Sequence, residues 1–132
     1  MTTSDLPAEG QPDVSTEGTE APFDDVITLS TSTGEDGAVT VTVVGEVDTF
    51  TAPVLRSTLD GQLEQSPREL VIDLSGVQFL GSAGLAVLVE TQKSARSREV
   101  ALSLIATTRA VTRPLEVTGL IDLFTIAESP AR

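Results

Sequence analysis

Alternation of apolar and polar positions begins at Val26. Val26–Ser32 (VITLSTS) shows the two-residue period of a half-buried strand. Ser32–Gly37 (STGEDG) is turn chemistry, and Ala38–Gly45 (AVTVTVVG) alternates again, which predicts an antiparallel hairpin. The period then changes. Ala52, Leu55, Leu59 and Leu63 recur on one helical face, with Thr51 as the predicted N-cap. Pro53 falls just inside that helix, where a missing N–H costs nothing. Glu69–Leu74 (ELVIDL) is more continuously apolar, the mark of a central strand. Ser75-Gly76 then predicts a turn held by the side chain of Asp73.

Val77–Leu80 leads into Gly81-Ser82-Ala83-Gly84 and a second helix starting near Ala83. Leu85, Leu88 and Val89 face inward on it; Lys93, Arg96 and Arg98 lie near its C-terminal, negative pole. Val100–Ala106 predicts a fourth strand and Thr108–Thr118 a third helix ended by Gly119; Leu123–Ala127 predicts a short fifth strand. Pro114 disturbs the third helix, where it removes a hydrogen bond and crowds the preceding turn. Either a kink or a later start with Thr112 as cap follows. The order β-β-α-β-α-β-α-β predicts an α/β fold: one mixed sheet of four to five strands with three to four helices packed on it.

Before Val26 the texture is different. Residues 1–25 hold seven acids, no Lys or Arg, three prolines and little apolar surface, the composition of a disordered acidic tail. Residues 26–132 then form the folded domain. Over the whole chain 20 acids face 8 basic residues, for a net charge of −12. Nucleic-acid binding needs clustered Lys and Arg against phosphate, so direct contact with DNA or RNA is excluded as an expectation. Aromatics are 3%, too few for base stacking. With no Cys and no His, thiol catalysis, thiolate metal sites and a Ser–His–Asp triad cannot be built. No metal or cofactor, and no enzymatic activity, is expected.

MTTSDLPAEG has neither a basic nor an apolar region of a secretory signal. The longest apolar run, Leu85–Val89, is far short of the roughly 20 residues a bilayer span needs. These features predict a cytoplasmic protein without a membrane partner.

Chemistry concentrates where the second helix opens. A helix start presents unpaired N–H groups and a partial positive charge. Ser82 there can cap the helix, or present its hydroxyl on a shallow, glycine-lined surface as a phosphorylation site. Asp48, in the loop after the second strand, can be solvated, cap the first helix, or face a partner.

Three stretches together resemble the STAS-domain anti-sigma factor antagonists, over roughly Val26 to Ile126. They are Gly45-Glu46-Val47-Asp48 with Thr51-Ala52-Pro53-Val54-Leu55, then Val71–Val77 (VIDLSGV), then Ser82-Ala83-Gly84-Leu85. The resemblance implies a single STAS-like domain that binds a GHKL-type serine kinase acting as an anti-sigma factor. Binding frees the sigma factor, and phosphorylation of one Ser ends it. Ser82 matches that phosphoacceptor, Asp48 the acid of the neighbouring loop, and Gly84 and Leu85 the start of the recognition helix. Asp48, Thr49, Thr51, Gly81, Ser82, Gly84 and Leu85 are therefore the expected partner-binding residues, with Asp48, Thr49, Ser82, Gly84 and Leu85 in one exposed patch. Two positions depart from the family: Gly81 stands where Asp is usual, and Ala83 where Ser or Thr is usual. A small-ligand module for a nucleotide or lipid, or a scaffold of a signalling assembly, is the competing reading. Homodimerisation stays open.

Overall fold

A computed structural model describes residues 27–127. The expected acidic tail lies outside the described residues. Within them the elements are β1 (Ile27–Thr33), β2 (Ala38–Val47), α1 (Ala52–Glu64), β3 (Glu69–Leu80), α2 (Ser82–Ser97), β4 (Ala101–Ile105), α3 (Arg109–Val117) and β5 (Thr125–Ala127). A 3-10 turn, Leu120–Leu123, precedes β5.

The strands lie in the order β1-β2-β3-β4-β5, with β3 central. β1 is antiparallel to β2, and the remaining pairs are parallel. The fold is thus a mixed five-stranded sheet with helices, the α/β class the pattern predicted. Its hairpin turn is held by Gly34 and Gly37, whose N–H groups donate to the carbonyls of Ala38 and Gly34 at 2.8 and 3.1 Å. Gly37, at φ +87, takes the left-handed backbone that side chains resist.

The core forms where the registers align. Val39 pairs with Leu70 and Val41 with Ile72 across β2 and β3, and Leu70 and Ile72 pair with Leu102 and Leu104 of β4. Partners across a sheet share a face, and these residues join one buried cluster with Leu55, Leu59 and Leu63 of α1 and Leu88 of α2. Each fully buried leucine is worth about 1.5–3 kcal/mol relative to exposure. α1 and α2 pack against each other over this face, and Arg56 of α1 pairs with Glu90 of α2 across their exposed edge. The Arg56 guanidinium holds the Glu90 carboxyl below the usual carboxylate range.

Two local expectations are corrected. Ser75-Gly76 is not a turn: β3 continues through it to Leu80. Asp73 does bracket Ser75, accepting from its N–H at 3.0 Å and its hydroxyl at 2.6 Å, but the bracket is absorbed as an irregularity in the β2–β3 pairing. Gly76 makes room for it, since a Cβ there would lie 2.9 Å from Val44 Cγ2. Thr51 does not cap α1 with its side chain. Its hydroxyl donates instead to the Glu46 carbonyl at 2.8 Å, five residues back. α3 starts at Arg109, as the Thr108–Thr118 pattern predicts, and runs through Pro114, so the later start after Thr112 is not taken; Thr108 is its N-cap in extended conformation, without a side-chain capping bond. The Thr108 hydroxyl is buried without a partner. Gly119, at φ +77, ends this region as the sequence predicts.

Candidate functional site at the start of the second helix

The extension of β3 builds the site. β4 pairs with β3 only as far as Asp73, so β2 and β3 run on together to Val47 and Leu80. Gly81 then donates its N–H to the Val47 carbonyl at 2.9 Å, bringing the two following loops side by side. Gly84 lets α2 press down on the strand ends. A Cβ at Gly84 would lie 2.6 Å from Val47 Cγ1 and 2.7 Å from Leu80 Cδ1, distances real atoms do not adopt. The small residue of the motif is therefore a packing requirement.

Asp48 organises the facing loop. Its Oδ1 accepts the N–H of Phe50 at 2.9 Å and of Thr51 at 3.0 Å, while its carbonyl accepts the N–H of Ala52 at 2.8 Å. Thr51 reciprocates, its hydroxyl oxygen accepting the Asp48 N–H at 2.9 Å. Asp48 thus orders the chain entering α1: its carboxylate takes the two N–H groups before the helix and its carbonyl the first N–H within it, while Thr51 holds the N-cap position without a side-chain cap. The carboxylate is half-buried and fixed in place.

Ser82 is the first residue of α2, with Gly81 as its N-cap in extended conformation and no side chain capping the helix. Its side chain is exposed and does not perform the capping role open to it from sequence. The first turn of α2 carries no acid, so no side-chain charge offsets the partial positive charge of its N–H groups. From Ser82 a groove of about 410 Å3 runs along α2, with Leu85, Val89 and Lys93 on one side and Thr118 and Leu120 on the other.

The expected residues divide by exposure. Thr49 and Ser82 are exposed, and Asp48 and Gly81 are partly so. Thr51, Gly84 and Leu85 are buried, at 1% exposure for Thr51 and 7% for Leu85. The single exposed patch expected from sequence is corrected at two residues: Gly84 is buried beneath it, and Leu85 joins the core while lining the groove; Thr51, expected to bind the partner, is buried as well. Sequence reading also passed over Phe79, which is 51% exposed, and Phe50, which is 73% exposed. Alternation gave no signal for Phe79: counted from buried Val77 it would point inward, and the irregularity in the β2–β3 pairing between Gly45 and Glu46 turns it outward. Among the described residues no group of three or more Asp or Glu is placed to hold a metal ion, and no helix is long and apolar enough to cross a membrane.

This fold and this helix start are those of a STAS domain. A family model of that description matches residues 30–132, and the chain belongs to the STAS-domain family of anti-sigma factor antagonists. Among solved structures it is similar to an anti-sigma factor antagonist from Mycobacterium paratuberculosis, with a TM-score of 0.74 and 38% identity over 83% of this chain and 90% of that one. The anti-sigma-F factor antagonist RsfB of Mycobacterium tuberculosis is 33% identical over 100 residues, covering 76% of this chain and 80% of its own. The anti-sigma-B factor antagonist of Staphylococcus aureus is 30% identical over 97 residues, covering 74% and 90%.

Proposed function

We propose that this protein is a cytoplasmic anti-sigma factor antagonist that binds a GHKL-type serine-kinase anti-sigma factor through the surface around Ser82 and Asp48. Phosphorylation of Ser82 switches that binding off. The observation that carries the reading is the Ser82 hydroxyl: exposed, unused for capping, and set at the start of α2 beside the ordered Asp48 loop. The names of the relatives support the general role.

The switch follows from charge. The kinase transfers the γ-phosphoryl group of ATP to Ser82 Oγ, releasing ADP and the hydroxyl proton. The product carries nearly two negative charges where a neutral hydroxyl stood. The N–H groups opening α2 tolerate that charge within the protein, whereas a partner surface fitted to the neutral form meets repulsion and a desolvation cost.

The test is a pull-down with the purified protein from its own cytoplasm, with and without ATP, followed by mass spectrometry of the bait. Recovery of a serine-kinase anti-sigma factor, and ATP-dependent phosphate on Ser82, is the expected result. Recovery of no anti-sigma factor contradicts the function. Recovery without phosphate on Ser82 contradicts the switch alone.

A further inference from the structure

Phe79 lies near the end of β3, two residues before Gly81. It stands opposite Glu46 in the β2–β3 register, and both side chains point outward where Val47 and Leu80, the next pair, are buried. An exposed aromatic ring ordinarily loses rotamer freedom when a partner orders it. Here the ring is already seated. A Cβ at Gly81 would lie 3.0 Å from Phe79 Cε2 and 3.3 Å from Cζ, so the ring rests on the bare backbone of Gly81, immediately before Ser82. A side chain at residue 81 would push the ring aside by a few tenths of an ångström. Phe79 is therefore half exposed and set against Gly81, the residue before Ser82, with the carboxylates of Glu46 and Asp48 in the adjoining strand end and loop.

An ordered aromatic ring with a charged rim has the anatomy of an interface hot spot. We infer that Phe79 is the apolar anchor of the docking face, and that Gly81 is glycine in order to seat its ring. The partner it fits is an anti-sigma factor surface with an apolar socket for the ring, rimmed by Lys or Arg facing Glu46 and Asp48. The inference rests on the proposed function and assigns that function's specificity to a residue outside the stretches that carry the resemblance.

Affinity for the anti-sigma factor recovered in the pull-down tests it, measured by calorimetry for the wild type, Phe79→Ala, Gly81→Ala, the double variant and Asp48→Ala. Thermal melts establish that each variant folds. Phe79→Ala is expected to weaken binding by about thirtyfold, the range of an aromatic hot spot. Gly81→Ala keeps the ring but unseats it, and is expected to weaken binding by about fivefold or more. In the double variant the loss should match Phe79→Ala within about twofold, because the two residues act as one unit. Unchanged affinity in Phe79→Ala, with Asp48→Ala weakened, overturns the anchor and leaves the proposed function standing. Unchanged affinity in both removes this face as the docking site. If the protein self-associates and Phe79→Ala abolishes that instead, the ring belongs to an interface between copies and the inference is wrong.

Discussion

At Gly84 a single methyl group decides how closely α2 approaches the strand ends. Alanine there would overlap Val47 and Leu80, both buried, so neither neighbour can yield cheaply. Overpacking of this kind costs about 1–3 kcal/mol. Gly84→Ala should lower the melting temperature by about 5 °C or more and shift the amide resonances of Ser82. An unchanged melt would mean that the helix start is not seated as described. Thr108 offers the opposite case. Its hydroxyl is buried without a partner, a desolvation cost that valine of similar shape avoids. Thr108→Val should therefore raise the melting temperature by about 4 °C, and a fall would show that the hydroxyl has a partner in solution. Asp48 combines two tasks that a pair of variants separates. Asp48→Ala removes both the charge and the acceptor, losing about 1 kcal/mol of loop stability. Asp48→Asn keeps an acceptor for the Phe50 and Thr51 N–H groups and removes only the charge. If the charge faces the partner, Asp48→Asn weakens binding while leaving the melt near that of the wild type. Normal binding in Asp48→Asn would reduce Asp48 to a loop-forming residue.

Among the elements, α1 was legible in detail because one spacing determines its face. Ala52, Leu55, Leu59 and Leu63 recur at helical period, and all four are buried. The end of β3 was not legible, because Ser75-Gly76 carries a local turn signal while the competing influence comes from Val44, a strand away. Local propensity and cross-strand packing disagreed there, and packing prevailed. The same limit applies to the caps. Thr51 holds the N-cap position as its neighbours in sequence predict, but its hydroxyl reaches back to the Glu46 carbonyl instead of capping, a contact set by the loop that Asp48 orders. For the site, the Ser82-Ala83-Gly84-Leu85 run located the helix start to within one residue. The seat of the Phe79 ring on Gly81 is a three-dimensional contact that no periodicity announces.

The contact between α1 and α2 also carries a pH dependence with a defined sign. Glu90 is held below its ordinary value of 4.5 by Arg56. A lowered carboxylate pKa stabilises the fold above the unfolded value, and that contribution is lost as pH falls through the folded value. The pair is exposed and screened by solvent and salt. Glu90→Gln should accordingly leave the melting temperature at pH 7 nearly unchanged and flatten part of its fall below pH 4.5. A large loss at pH 7 would contradict the surface assignment.

For the molecule as a whole, a net charge of −12 sets the kind of partner it can meet. Such a surface favours association with a basic face and disfavours another acidic one, an effect that salt weakens. Adding phosphate at Ser82 increases the same imbalance at the point of contact. Like-charge juxtaposition at an interface costs several kcal/mol, which is about a hundredfold or more in affinity. The most direct measurement is the affinity of the anti-sigma factor for this protein with Ser82 unmodified and with Ser82 phosphorylated, compared by calorimetry at one salt concentration. The account predicts tight binding for the first and at least about a hundredfold weaker binding for the second. Equal affinity for the two forms would contradict it.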